Sequence, residues 1–150
     1  MRLHIYTVCW NEQELLPYYL RHYSQFAERI VVYDNQSTDA TADIVRACSK
    51  AEHRIYDTGG VFDDPEILRI KNTAYKESRG QADFVVVGDV DEILYHPQMA
   101  DLLQKYKREG VTLPKTRGID MVSWRFPRSK PLSRRSRPIA RAIGPSTARR

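Results

Sequence analysis

A chain of 150 residues, 41% hydrophobic and 29% charged, has the composition of one soluble globular domain with a real core and is short for two. No apolar run approaches the ~18 residues of a membrane-crossing helix, and Cys9 and Cys48 stand in neither a C-x-x-C pair nor a metal-ligand spacing, so they read as reduced thiols. The net charge of +5 hides an asymmetry: residues 1–114 hold 13 Lys/Arg against 18 Asp/Glu, a balance of −5, whereas residues 115–150 hold 11 against one, Asp120, a balance of +10.

Met1–Tyr6 alternates like a strand and lacks the long apolar core of a signal peptide, which predicts a chain that starts in its fold and stays in the cytosol. Leu3–Val8 is the first predicted strand. Asn11 is placed to cap the helix that follows, with Glu14 completing a capping box. That helix carries Leu15, Leu16, Tyr19, Leu20, Tyr23, Phe26 and Ala27 at helical spacing, with Pro17 near its first turn. Arg29–Tyr33 is a short buried strand. Asp34–Asp39 is a polar loop, and Thr38 or Asp39 caps a helix running to about Cys48. His53–Asp57 is a third strand. Gly59-Gly60 breaks the chain before a helix from Pro65 to about Arg79, whose apolar side is Ile67, Leu68, Ile70, Ala74 and Tyr75. Phe84–Gly88 reads as a fully buried fourth strand. Pro97–Glu109 is a further helix, and Val111–Leu113 and Ile119–Trp124 are short strand candidates. Repeated strand–helix–strand units imply a mainly parallel three-layer α/β sheet. Its strand exits at Cys9–Glu12, Asp34–Asp39 and Asp89–Glu92 should then meet on one edge.

The third exit is the most pointed. Asp89-Val90-Asp91-Glu92 places three carboxylates in four residues at a strand's carboxyl end, where open parallel sheets bind ligands. Carboxylates one residue apart repel unless a cation sits with them. A hard divalent ion, Mn2+ or Mg2+, takes oxygen ligands and leaves positions for a substrate's phosphates. The plain alternative is an acidic turn capping the next helix.

The segment Tyr33-Asp34-Asn35-Gln36-Ser37-Thr38-Asp39-Ala40-Thr41 resembles the Asp-Asp-Gly-Ser-Thr-Asp-Gly-Thr signature of family 2 glycosyltransferases. Thr7-Val8-Cys9-Trp10-Asn11-Glu12 resembles that family's first-strand exit, Lys71-Asn72 its Arg-Asn pair, and Asp89-Val90-Asp91 its D-x-D motif. The continuation Glu92-Ile93 is similar to bacterial members. The four motifs stand in the family's order over roughly residues 3–113. The resemblance implies a GT-A fold, a Rossmann-like three-layer sandwich, and a nucleotide-diphosphate sugar donor bridged by Mn2+ or Mg2+. It implies that Thr7 and Cys9 line the base pocket through backbone groups, Asp34 contacts base or ribose, Lys71 faces the nucleotide and Asn72 braces the loop. Asp89 would reach the ribose or a metal-bound water, and Asp91 would ligate the metal. Asn11, Glu12 and Val90 complete the expected donor-binding set, and Asp89 joins Asp91 in the expected metal pair.

Plainer readings stand beside these. Asn35 replaces the family's second Asp, and Asp34–Thr41 would serve equally as a helix-capping loop. Lys71 reads also as a solvated helix charge, Glu92 as a ligand or a cap, and His96 as a turn residue. Trp10 and Tyr18, Tyr19 and Tyr23 read as packing. The family's catalytic base lies downstream of the D-x-D strand; here the acids beyond it are Asp101, Glu109 and Asp120, of which Asp120 is the weak candidate. Regular sequence ends near Pro127, so the expected division is a donor-binding domain, 1–127, truncated relative to the family it resembles, and a disordered Arg/Ser/Pro-rich tail, 128–150. The expected activity is metal-dependent transfer of a sugar to a glycan, lipid or other hydroxyl acceptor, in the cytoplasm or peripherally at the inner face of the membrane. The competing readings are a non-catalytic nucleotide-sugar-binding module, a haloacid-dehalogenase-type phosphohydrolase, and weak, salt-sensitive nucleic-acid binding by the tail.

Overall fold

The computed structural model describes residues 1–120. They fall into two units, Met1–Pro114 and the start of a second that begins at Lys115. The expected boundary at 127 and the tail 128–150 lie outside the described residues, as does all but the start of the strand candidate at 119–124.

The first unit is an α/β fold built on strands β1 (Leu3–Cys9), β2 (Arg29–Asp34), β3 (Ala51–Ile55) and β4 (Phe84–Val87). All pairings are parallel, and the strand order is β3-β2-β1-β4. Every residue of β1 is buried, because it is paired on both edges and covered on both faces. On one face Leu3, Ile5, Cys9, Ile30 and Val32 pack with Leu16, Tyr19, Leu20 and Tyr23 of α1 (Leu16–Tyr23), Val45 of α2 (Thr41–Arg46), and Met99 and Leu103 of α4 (Met99–Arg108). On the other, β1 meets α3 (Asp64–Thr73) and the 3-10 helix Ala74–Ser78 that continues it. The predicted three-layer parallel architecture is therefore present.

The opposite face is held by polar groups. Ser78 Oγ lies 2.7 Å from both His4 Nδ1 and the Tyr6 hydroxyl, and Tyr6 donates to Glu77 at 2.9 Å. Arg54 of β3 donates to Glu77, Glu52 and the Tyr33 hydroxyl, and Arg29 pairs with Glu52 and Glu77. Burial pushes the Glu77 carboxyl up, but hydrogen bonds from Arg54 and Tyr6, with the charges of Arg54 and Arg29, outweigh it and hold the group below its usual range. This network fixes the end of α3 against the sheet.

Several boundaries differ from the sequence reading. The third strand runs Ala51–Ile55 rather than 53–57, because Ala51 is the register partner of Ile30. The α3 cap is Asp63, whose carboxylate accepts the Glu66 amide at 3.1 Å; of the expected apolar side, Ile70 is buried whereas Leu68 is exposed. The second helix ends at Arg46 and the last starts at Met99. Val111–Leu113 forms no strand. The fourth strand is half-buried, not fully buried, since among the described residues it pairs with β1 alone. Cys9 and Cys48 are free thiols, as expected. No helix among the described residues is long and apolar enough to cross a membrane.

Candidate functional site

The strand order places a switch point between β1 and β4. Chain connections run outward from β1 through β2 to β3, then return to the far side of β1. At such a point the loops leaving adjacent strands diverge and open a crevice at their carboxyl ends. The exits of β1, β2 and β4 share that edge because the strands are parallel.

The first two exits are interlocked. Cys9 and Asp34 are register partners. Asn11 takes a left-handed backbone (φ 56°), a conformation that Asn tolerates better than most residues. Its amide donates to Ser37 Oγ and its side-chain oxygen accepts the Thr38 amide, both at 2.8 Å. The Glu12 amide donates to Thr41 Oγ1, and the Gln13 amide to Asp39 Oδ2. Asn11 is thus a tie between loops and not the helix cap predicted for it: α1 begins at Leu16, and no side chain caps it. Asp39 Oδ1 accepts the Thr41 amide at 2.9 Å, but the N-cap of α2 is Ala40 and no side chain caps it, so neither Thr38 nor Asp39 takes the capping place predicted for them.

Asp34 is buried and heavily engaged. Its Oδ1 accepts the amide and hydroxyl of Ser37 at 2.9 and 2.5 Å, and its Oδ2 lies 2.8 Å from His53 Nε2. Asn35 is also buried, donating to Thr58 Oγ1 at 2.8 Å and accepting the Thr58 amide at 3.2 Å. The sequence reading missed His53 and Thr58. Their link to this loop depends on β3 lying beside β2, which no local pattern announces. Thr7 is buried in β1, and the Cys9 thiol is pushed far up by burial and by Asp34, Glu12 and Asp39, so it stays neutral. Thr7 lines a shallow crevice with Tyr6, Val8, Tyr33, Ile70 and Lys71.

The acidic motif is a closed turn. The Glu92 amide donates to the Asp89 carbonyl at 3.0 Å, and Glu92 Oε2 accepts the Asp89 amide at 3.2 Å. Gly88 leaves the space for this, since a Cβ there would stand 3.3 Å from Glu92 Oε2. Glu92 thus shapes the turn. Val90 is buried in the core, which leaves only its backbone for a ligand. Behind the motif, the Leu94 amide donates to the Tyr23 hydroxyl and the Leu94 carbonyl lies 2.9 Å from His22 Nε2. The motif is thereby fixed to α1. His96 Nδ1 accepts the Gln98 amide, which matches the plain turn reading.

Electrostatically the edge is acidic. Burial and the charges of Asp91, Asp39 and Asp89 together raise the Glu12 carboxyl. Asp91 is exposed and makes no hydrogen bond or ion pair among the described residues. Lys71 of α3 forms an ion pair with Asp89 at 2.5 Å. Asn72 is exposed and its side chain bonds to no described residue, so the bracing expected of it is not seen. Asp120 is exposed in the second unit. Among the described residues no group of three or more His, Cys, Asp or Glu side chains is arranged around a metal position. Asp89 and Asp91 present hard oxygen donors, a set that fits Mn2+ or Mg2+ when phosphate and water oxygens complete the shell.

The sequence model described as glycosyl transferase family 2 matches residues 5–148. The chain belongs to glycosyl transferase family 2. The match runs past the motif-bearing residues 3–113 into the basic segment. No curated protein matches the sequence. The glycosyltransferase thus has an α/β sheet with its β1–β4 switch point on the edge that also carries the acidic turn Asp89–Glu92. The phosphohydrolase alternative falls on the family match and on an acidic motif that follows the fourth strand, β4, rather than the first.

Proposed function

We propose that this glycosyltransferase draws its sugar from a nucleoside-diphosphate donor lying across the β1–β4 switch point, with Mn2+ or Mg2+ held by Asp91 and Asp89. The observation that carries the reading is that the acids Glu12, Asp39, Asp89 and Asp91 follow β1, β2 and β4 on one edge of the parallel sheet, where burial first, and then the charges of Asp91, Asp39 and Asp89, raise the Glu12 carboxyl. An acidic edge accepts an anionic diphosphate only through a cation. When bound, the metal would act as a Lewis acid that neutralises charge growing on the leaving diphosphate.

The chain's own groups supply the remainder. The interlocked loops at Asn11–Gln13 and Ser37–Thr41 present a fixed wall, and Thr7 and Cys9 offer backbone rather than side-chain chemistry. Asp34 serves that wall by holding Ser37, and Lys71 brings the positive charge for the phosphates. The acceptor is a hydroxyl of a glycan, lipid or other molecule. Its proton requires a base within hydrogen-bonding reach, for which Asp120 is the candidate by chain order.

Isothermal titration with UDP and GDP tests the reading. Affinity should depend on Mn2+, and Asp91→Ala should abolish that dependence. Equal Mn2+-dependent affinity in Asp91→Ala would overturn the metal assignment.

A further inference from the structure

The acidic edge is partly neutralised from within. Among the described residues Lys71 makes the one ion pair of Glu12, Asp89 and Asp91, and it does so to Asp89. Its helix is fixed: Ile70 is buried beneath it, and the 3-10 helix that follows is clamped through Ser78 and Glu77. The ammonium ends a flexible four-carbon stem with three rotatable donors, so it can change partners without moving the helix. It is three-quarters shielded, with a side-chain exposure of 25%, and it borders the crevice lined by Thr7, Tyr33 and Ile70.

We propose that Lys71 is an internal counter-ion that competes with the divalent cation for Asp89 and is released by the donor's diphosphate. The proposal rests on the donor site described above. In the structure the ammonium stands on Asp89. A cation arriving alone must displace it, leaving Lys71 without an anion in a half-buried position. A diphosphate arriving with the cation gives Lys71 a new partner within reach of its stem and frees Asp89. Lys71 therefore makes the two ligands cooperative, and by linkage the factor by which nucleotide tightens metal equals the factor by which metal tightens nucleotide.

The test is Mn2+ binding followed by electron paramagnetic resonance of the free ion, on the full chain, with and without UDP or GDP. Because any nucleotide contributes its own phosphate ligands, the decisive comparison is made without nucleotide. Lys71→Met should bind Mn2+ tighter than the wild type, by roughly 5-fold or more, the lower range of typical site–site coupling. Its nucleotide affinity should fall, and the tightening of Mn2+ by nucleotide should shrink. Lys71→Arg, which keeps the charge, should behave like the wild type, and adding Asp89→Asn to Lys71→Met should remove the gain. Circular dichroism melts of the same variants show that they remain folded. Unchanged or weaker nucleotide-free Mn2+ binding in Lys71→Met would overturn the proposal while leaving the donor site standing. A wild-type chain that binds neither Mn2+ nor nucleotide would overturn both.

Discussion

Asp34 is where the structure makes its sharpest demand. Family resemblance assigns it a nucleotide contact, yet its carboxylate already takes two hydrogen bonds from Ser37 and faces His53 at 2.8 Å, with a side-chain exposure of 2%. A carboxylate has about four lone-pair sites, so at most one is left for a ligand. Asp34→Ala would strip the shared partner from the part-buried Ser37 amide and His53 imidazole together. Removing one member of a buried charged network costs about 3–5 kcal/mol. For a domain of this size that corresponds to a fall in melting temperature of roughly 6–20 °C, at ~2–4 °C per kcal/mol. Asp34→Asn keeps an acceptor for Ser37 and should cost about 1–2 kcal/mol. Urea unfolding followed by circular dichroism measures both, and titration with UDP and Mn2+ measures binding on the same samples. The expected result is that binding falls in step with stability, and that Asp34→Asn retains most of each. Loss of nucleotide binding in Asp34→Ala with unchanged unfolding free energy would refute the bracing argument and return Asp34 to direct ligand contact.

Acidification should act through the face opposite the helices α1 and α2. Glu77 is held below the usual glutamate range, so it binds fewer protons folded than unfolded; its stabilisation is complete above the ordinary unfolded value and is lost as the pH falls through the lowered folded value. Unfolding free energy should therefore decline on going below about pH 5, and Glu77→Gln should flatten the decline, leaving the part due to Glu52, which Arg29 and Arg54 also hold low against burial. An identical pH profile in Glu77→Gln would count against the network. Tyr19 offers the opposite sign of effect: its hydroxyl is buried and has no hydrogen-bond partner among the described residues. Tyr19→Phe should be neutral or raise stability by up to about 1 kcal/mol, since an unpaired buried hydroxyl is costly. A clear loss in thermal unfolding would show that the hydroxyl is bonded after all, with Thr7 as the partner to examine.

Much of this molecule is local and so is written in the chain. Alternation in Leu3–Val8 and the threes and fours of Leu16, Tyr19, Leu20 and Tyr23 announce β1 and α1, because side-chain direction repeats with the backbone's own period. The acids after β4 and the polar loop after β2 are likewise legible, since a strand exit is marked by a change from apolar to polar residues within a few positions. What the chain does not display is which strand lies beside which. The order β3-β2-β1-β4 brings His53 onto Asp34, puts the switch point between β1 and β4, and leaves β4 half-buried where its apolar run implied full burial. Asn11 illustrates the same limit at short range: its type and place before a helix suit a cap, but a neighbouring loop offered Ser37 and Thr38 instead. Lys71 and Asp89 meet for the same reason, the return of α3 across the sheet to β4. Hydrogen bonds and ion pairs are decided by distances of a few ångströms between elements far apart in the chain. Those distances are set by packing, and packing is a property of the whole fold.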